Sequence, residues 1–216
     1  MQRLTEVAIE QSRAGVFTRA EVAAWVGGSS DAEAALVKRA LAAGEIIRIH
    51  RGLYSLGSRY RDRPIDSLAI AQRIMGPSYV SLETALAFHG LLPEAVETVT
   101  SVCATRSRSC HTPIGLFRFS RVPQARLFED VSRVPRSDGE AAFIATPLKA
   151  LADYVSVHRV DWTGIEPLVE SLRISFQQLA EIKPEQCRSL ATNYRSRRVR
   201  RFLEGLSREV HACRSR

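Results

Sequence analysis

The sequence predicts an α+β fold in which a small helical unit closed by a β-hairpin precedes a larger mixed unit. Two helix-start signatures joined by a glycine pair occupy the first 45 residues, and two β-prone runs flank Arg51-Gly52. Beyond residue 65, helical and extended patterns alternate, and the end of the chain has a helical pattern. These three observations favour two units of different size.

Three short helices are predicted before residue 45, separated by glycines. The first is amphipathic, covers residues 4–14 and ends at a glycine, which adopts a positive φ at little steric cost. Thr18-Arg19-Ala20-Glu21 is a capping box that starts a second helix, and Gly27-Gly28 ends it. Ser30-Asp31-Ala32-Glu33 is a second capping box, so the third helix is predicted over residues 30–43.

Two β-prone runs follow the third helix. Ile46-Ile47-Arg48-Ile49-His50 and Leu53-Tyr54-Ser55-Leu56 are separated by Arg51-Gly52, which predicts a hairpin. Strand alternation should place Arg48 and His50 on one face. The order helix, helix, tight turn, helix, hairpin is that of a winged helix-turn-helix, so we expect residues 1–58 to form such a domain. In that fold the third helix enters the major groove of DNA. An alternative is that the domain makes protein contacts only.

The residues expected to contact DNA lie on the second and third helices and on the hairpin. Leu36, Val37, Ala40 and Leu41 should face the core, which leaves the first turns of the third helix free. The start of a helix carries partial positive charge that suits a phosphate oxygen, and an arginine at a hairpin turn suits a phosphate or the minor groove. The expected contact residues are Thr18, Arg19, Ser29, Ser30, Asp31, Ala34, Lys38, Arg48, His50, Arg51 and Tyr54.

A second predicted domain covers residues 65–216 and follows a charged, proline-terminated linker. Its predicted elements are helices at residues 66–75, 82–89 and from Thr146-Pro147 onward, strands at residues 96–104 and 116–120, and a basic helical C-terminal tail from about residue 160. The fold class is therefore α+β, with a winged helix-turn-helix followed by a mixed α/β domain with a helical tail. Five arginines of the tail are expected to contact phosphates, although a solvated, fraying helix is the alternative. They are Arg195, Arg197, Arg198, Arg200 and Arg201.

The net charge favours a polyanionic partner. The chain has 31 Lys and Arg residues against 23 Asp and Glu residues, a formal charge of +8. Residues 100–136 hold seven basic and two acidic residues, and residues 190–216 hold eight and two. Nearly all the basic residues are arginine, whose planar guanidinium suits phosphate and guanine, but a high-GC coding bias would produce the same excess.

Membrane and secreted proteins do not fit the sequence. No run approaches the roughly 18–20 apolar residues that a transmembrane helix requires. Glu6 and Glu10 interrupt the apolar layout of a secretion signal, so a cytoplasmic protein without membrane contact is expected. The cysteines lack the paired short spacings of a zinc site, and reduced thiols are expected. They are Cys103, Cys110, Cys187 and Cys213.

Enzyme signatures are scarce. The sequence has no phosphate-binding glycine loop, no GxSxG elbow and no HExxH motif. Glu181-Ile182-Lys183 matches the Glu-x-Lys of some nucleases, but it follows a helical pattern and precedes a proline. We therefore expect no catalytic residue, no cofactor and no metal, with a nuclease as the weakest alternative.

Three segments carry a resemblance to a known family. The first runs from Val16-Phe17-Thr18 to Arg51-Gly52-Leu53-Tyr54. The second is Tyr79-Val80-Ser81-Leu82-Glu83-Thr84-Ala85-Leu86-Ala87-Phe88-His89-Gly90-Leu91, and the third is Ala145-Thr146-Pro147-Leu148-Lys149-Ala150-Leu151-Ala152-Asp153-Tyr154. Over roughly residues 4–156, the chain resembles the AbiEi-type antitoxins of type IV toxin–antitoxin systems, which are transcriptional regulators of phage-defence loci.

The resemblance implies a repressor that binds inverted repeats in its own promoter and autoregulates a two-gene operon. The partner gene would encode a nucleotidyltransferase-like toxin, and the second domain would give the antitoxin effect. An alternative is a protein-binding neutraliser that contacts this toxin directly. A monomer on each half-site and a weak dimer are both compatible with the sequence.

Overall fold

The computed structural model describes residues 1–93, 96–136 and 139–214, and these residues form ten α-helices and two β-sheets. The fold is thus a mixture of α and β structure, as the sequence predicts. The first sheet has three strands and the second has six. The helices of the N-terminal part pack against the small sheet, and three of the remaining helices pack directly against the large one.

The first 57 residues contain three helices and the small antiparallel sheet. The helices are α1 (Arg3–Gln11), α2 (Arg19–Val26) and α3 (Ser30–Ala42), and the strands are β1 (Val16–Thr18), β2 (Ile46–His50) and β3 (Leu53–Leu56). The strand order is β1-β3-β2. The sequence patterns do not predict β1, because three residues are too short for an alternation of period two to be recognised.

The capping box of α2 is confirmed, whereas that of α3 is wrong by one residue. Thr18 Oγ1 accepts from Glu21 N at 3.2 Å, and Glu21 Oε2 accepts from Thr18 N at 2.6 Å. At α3 the N-cap is Ser29, whose Oγ accepts from Ala32 N at 3.3 Å, and Ser30 is the first helical residue. Both serines could cap the helix, and the extended backbone after the glycine pair selects the first.

The predicted placement of Arg48 and His50 on one face is wrong. Arg48 lies opposite Tyr54 and His50 lies opposite Leu53, with a register shift between them. Directly opposed residues share a face of the sheet, and neighbours on one strand point to opposite faces. The register shift therefore reverses the alternation of β2, and His50 lies on the face opposite to Arg48.

The small core explains why the N-terminal elements form. Leu4 of α1, Phe17 of β1 and Val22 of α2 are fully buried, and Val37 of α3 is buried in the same cluster. The Phe17 ring stacks on Tyr54 with a centroid distance of 6.1 Å. Burying a side chain such as Phe17 contributes about 1.5–3 kcal/mol, so this cluster supplies much of the local driving force.

The pH stability of this part should depend on Glu45, which follows α3. Glu45 Oε2 accepts from Thr5 Oγ1 at 2.6 Å and from Gln2 N at 2.7 Å, and these hydrogen bonds lower the pKa of the carboxyl group. A lowered folded-state pKa means that this stabilisation is present above the ordinary pKa of 4.5 and is lost as the pH falls through the folded-state pKa. We expect Glu45→Gln to remove this acid-dependent part of the thermal midpoint, measured by circular dichroism between pH 3 and pH 7. Parallel midpoint curves for both proteins would contradict the prediction.

The second sheet has the strand order β6-β7-β5-β4-β9-β8. Its strands are β4 (Ser78–Val80), β5 (Thr98–Cys103), β6 (Arg108–Thr112), β7 (Gly115–Arg121), β8 (Val131–Pro135) and β9 (Ala141–Ala145). The β4–β9 and β5–β7 pairs are parallel and the other three pairs are antiparallel. The predicted strands at residues 96–104 and 116–120 are confirmed as β5 and β7, and the patterns miss the other four.

In its described residues, the larger part of the molecule also contains seven helices. They are α4 (Ser67–Ile74), α5 (Leu82–Phe88), α6 (Pro147–His158), α7 (Glu166–Leu172), α8 (Phe176–Ala180), α9 (Pro184–Ala191) and α10 (Arg197–Arg214). The predicted helix start at Thr146-Pro147 is confirmed, since Thr146 Oγ1 accepts from Lys149 N at 3.4 Å and Pro147 is the first residue of α6. Val16, Ile49 and Leu53 of the small sheet belong to the large core, so the two parts share apolar contacts.

The last helix is part of the core. Val199, Phe202, Leu203 and Leu206 are fully buried, and α10 packs against α6, α8 and α9. The described part of this helix is therefore not solvated on all sides, because its apolar face packs against the rest of the molecule. Its apolar face has the spacing of three and four residues that buries one side of a helix, and the arginines occupy the other side.

Candidate nucleic-acid interface

A groove on the N-terminal part brings together three cationic side chains from separate elements. Arg19 is the first residue of α2, Lys38 lies in α3 and Arg48 lies on β2, and all three are exposed. Glu33 is the one acidic residue among those that line the groove. The local excess of positive charge makes the groove a candidate site for a polyanion.

Arg19 links the groove to its surroundings. Its Nη2 donates to Ser30 Oγ at 3.0 Å, which joins the starts of α2 and α3. Its backbone N–H donates to the carbonyl oxygen of Gly52 at 2.9 Å, which joins the start of α2 to the hairpin turn. The two helices and the hairpin are thus held together at this residue.

Tyr54 forms part of the groove lining and lies against Arg48. This residue is only 6 % exposed, and the guanidinium carbon of Arg48 lies 5.9 Å from the centroid of its ring. A guanidinium over an aromatic face is attracted by the ring quadrupole. Tyr54 therefore orients Arg48, and its ring is not a surface group that could reach a base.

The exposed face of α3 agrees with the sequence prediction. Val37 and Ala40 are buried, and Leu36 and Leu41 pack against the same core. The predicted contact residues of α3 and its N-cap are all exposed; they are Ser29, Ser30, Asp31, Ala34 and Lys38. One face of α3 is therefore free along its first three turns.

The two hairpin residues near the turn are placed differently from each other. Arg51 is exposed beside Gly52, whose φ of +75° makes the tight turn possible. His50 is half-buried on the face opposite to Arg48 and does not line the groove. Thr18, the remaining predicted contact on this side, is half-buried as the N-cap of α2.

The arginines near the C-terminus form a separate group. Arg195, Arg197, Arg200 and Arg201 are exposed, whereas Arg198 Nε donates to Asp161 Oδ1 at 2.8 Å. The pKa of Asp161 is lowered mainly by this hydrogen bond. Because α10 packs on α6, α8 and α9, these arginines belong to the larger part of the molecule and do not line the groove.

Four further exposed arginines were missed as candidate residues. Arg106, Arg108, Arg118 and Arg121 lie on or next to β6 and β7, where Arg108 is opposite Phe119 and the Arg121 N–H donates to Ser107 Oγ at 2.9 Å. The excess of basic residues in residues 100–136 was the signal that could have identified them.

A buried polar cluster was also missed. Asp153 of α6 is fully buried and accepts from Tyr79 Oη and Tyr194 Oη at 2.7 Å each and from Ser81 Oγ at 2.8 Å. Lys149, one turn earlier, is fully buried with its Nζ 4.8 Å from the Tyr194 ring centroid. Burial raises the pKa of Asp153 and lowers that of Lys149. Both residues occur in the third of the segments that carry the family resemblance.

The structure offers no support for a metal-dependent site in its described ranges, where no group of three His, Cys, Asp or Glu side chains could hold a metal ion. Glu181-Ile182-Lys183 lies between α8 and α9 and not on a strand, so the Glu-x-Lys match lacks the setting of a nuclease site. Cys103, Cys110 and Cys187 are free and buried, while the side chain of Cys213 lies outside the described residues. None of the helices described is both long and apolar enough to span a bilayer.

The N-terminal part of the chain is similar to a known protein family. Residues 3–57 match the family model described as "Transcriptional regulator, AbiEi antitoxin". The match runs from α1 to β3 and contains every residue that lines the groove. The predicted AbiEi resemblance is therefore confirmed for about a quarter of the chain, whereas its predicted continuation to residue 156 lies beyond the AbiEi match. No curated protein matches the chain.

Proposed function

We propose that this protein is a sequence-specific DNA-binding repressor that acts as an antitoxin and controls its own promoter. The observation that carries the proposal is the groove formed by Arg19, Lys38 and Arg48 beside the exposed face of α3. The AbiEi match, whose description is that of a transcriptional regulator, covers this same region.

The proposed binding mode is that of a winged helix-turn-helix. The exposed side of α3 would lie in the major groove, where base edges are distinguishable, with Lys38 directed to phosphate or base. The hairpin turn would lie beside it, so that Arg51 could reach a phosphate or the minor groove. Arg19 and Arg48 would neutralise phosphates on the flank of the major groove.

We assign DNA reading to residues 1–58 and the antitoxin effect to residues 65–216. The exposed arginines of β6, β7 and α10 would add phosphate contacts that do not depend on sequence. A nucleotidyltransferase-like toxin encoded nearby is the functional partner that this proposal implies. The DNA target of the repressor would be inverted repeats in its own promoter, bound by a monomer on each half-site or by a weak dimer.

The test is gel retardation of the full-length protein with DNA from its own upstream region and with a scrambled duplex of equal length. We expect tight binding to the first, roughly 10³-fold stronger than to the second. About six phosphate contacts would give a slope near −5 in a plot of log affinity against log salt concentration. Equal, weak binding to both duplexes would refute sequence-specific repression.

A further inference from the structure

Arg73 of α4 connects the larger part of the molecule to the start of α2. Its Nη2 lies 3.2 Å from Glu21 Oε2, and its Nη1 lies 3.1 Å from Glu140 Oε1 and 3.3 Å from the carbonyl oxygen of Val16. The side chain is 21 % exposed, so these charge-assisted contacts are only partly screened by solvent. One guanidinium thus contacts three acceptors, on α2, on β1 and immediately before β9.

Glu21 is the carboxylate of the α2 capping box. The oxygen that Arg73 contacts also accepts from Thr18 N at 2.6 Å and from Thr18 Oγ1 at 2.7 Å. The next residue, Arg19, donates its backbone N–H to Gly52 at the hairpin turn and its guanidinium to Ser30 at the start of α3. Arg73 is therefore hydrogen-bonded to Glu21, two residues from Arg19, which joins α2 to α3 and to the hairpin turn.

Arg73 is also linked to two residues that lie between β8 and β9 and to the start of its own helix. Glu140 follows the turn between β8 and β9, and its carbonyl oxygen accepts from Arg136 N at 2.9 Å. Arg136 Nε in turn lies 2.5 Å from Asp66 Oδ2, and Asp66 is the N-cap of α4 through Leu68 N at 2.9 Å. Arg136 is thus linked to the start of α4, and Glu140 to Arg73 near the end of the same helix.

We propose that Arg73 is a positioning residue for DNA recognition: it sets the orientation of the α2 start and the hairpin turn relative to the larger part of the molecule. This inference rests on the proposed function. Arginine suits the role because its planar, five-donor fork can bind several fixed acceptors at once, which the single ammonium of lysine cannot do.

The positioning role of Arg73 differs from the role of the apolar contacts that hold the two parts of the molecule together. Val16, Ile49 and Leu53 contribute to the large core whether or not Arg73 is present, so its removal leaves the apolar packing in place. Without Arg73, α2 and the hairpin turn lose their fixed orientation relative to the larger part of the molecule. A base contact requires a fixed side-chain position, whereas attraction between a basic surface and a phosphate backbone does not.

The experiment measures the affinity of full-length wild-type, Arg73→Met and Arg73→Lys proteins for the upstream duplex and the scrambled duplex. We expect Arg73→Met to weaken binding to the upstream duplex roughly 3- to 30-fold more than binding to the scrambled one. Arg73→Lys, which keeps the charge without the fork, should recover less than half of this difference on a logarithmic scale. Arg59→Met removes an exposed arginine outside the groove and should leave the affinity ratio unchanged.

Two further measurements distinguish positioning from charge and from general destabilisation. Hydrogen exchange of the Thr18 amide should be faster in Arg73→Met at an unchanged thermal midpoint, because its acceptor Glu21 is no longer held. Glu140→Gln should lower the same affinity ratio, and combining it with Arg73→Met should add no further loss.

Equal weakening on both duplexes, or full rescue by lysine, would show that Arg73 supplies charge only and would overturn the inference. A wild-type ratio in Arg73→Met, or additive losses with Glu140→Gln, would overturn it as well. If the wild-type protein itself did not distinguish the two duplexes, the proposed function would fail instead. Thr18 exchange at the wild-type rate in Arg73→Met would independently refute the positioning role.

Discussion

Replacing Lys38 and Arg48 together by alanine should weaken binding to the upstream duplex by about 2–6 kcal/mol, at least roughly 30-fold in affinity. Each side chain is exposed on the wall of the groove beside the free face of α3, so each can make one contact with a phosphate or a base. A single contact of this kind is worth about 1–3 kcal/mol. Titration of labelled duplex by fluorescence anisotropy measures the change.

The matched control is the double change Arg59→Ala and Arg133→Ala, which removes the same charge from exposed positions outside the groove. At physiological salt the screening length is about 8 Å, so this control should change the affinity by less than roughly threefold. The salt slope should also fall by about one for each side chain that no longer binds a phosphate, which applies to Lys38 and Arg48 only. Similar decreases in affinity in both double variants would show that the protein binds DNA through its overall charge and not through this groove.

Replacing Asp153 by alanine should lower the free energy of unfolding by about 3–5 kcal/mol. The variant removes the acceptor of three hydroxyl groups, those of Tyr79, Ser81 and Tyr194, all of which are buried. It also removes the carboxylate that stabilises the buried ammonium of Lys149. Buried donors without partners and a buried charge without a counter-ion both carry a desolvation cost that the folded state then bears.

Urea unfolding followed by circular dichroism gives this decrease as a lower midpoint at an unchanged slope. Asp161→Ala is the control: it removes a carboxylate that is 69 % exposed and paired with Arg198 at the surface, and its midpoint should stay close to that of the wild type. Asp153→Asn keeps one acceptor oxygen, so its urea midpoint should lie between those of Asp153→Ala and Asp161→Ala. A midpoint for Asp153→Ala equal to the control would mean that the cluster is hydrated in solution and contributes little to stability.

Local signals in the sequence predicted the elements that depend on a few neighbouring residues. The capping box at Thr18 and the helix start at Thr146-Pro147 are determined by side chains within one turn, and both are confirmed. The one-residue error at α3 arose where Ser29 and Ser30 are chemically equivalent caps and only the path of the preceding chain decides between them. The strands of the large sheet were mostly missed, because β4 and β9 are short, lie deep in the core and lack polar alternation.

The sequence predicted individual residues of the candidate site but not their arrangement in space. Arg19, Lys38 and Arg48 were all expected to bind DNA, but their convergence on one groove depends on how α2, α3 and β2 pack. His50 lies on the face opposite to Arg48 because of a register shift in β2, which a rule of strict alternation does not anticipate. The role of Arg73 had no signal in the sequence, because Glu21 and Glu140 are 52 and 67 residues away from it.

The sequence by itself determined the N-terminal order of helices and hairpin, the cationic character of the chain and the helical pattern at its C-terminal end. These depend on capping chemistry, periodicity and composition, which act over a few residues. The tertiary structure decided that α10 belongs to the core, that Tyr54 supports Arg48 instead of lying at the surface, and that α4 holds the start of α2. Each of these depends on contacts between distant segments, whose partners are selected by shape and burial once the whole chain has folded.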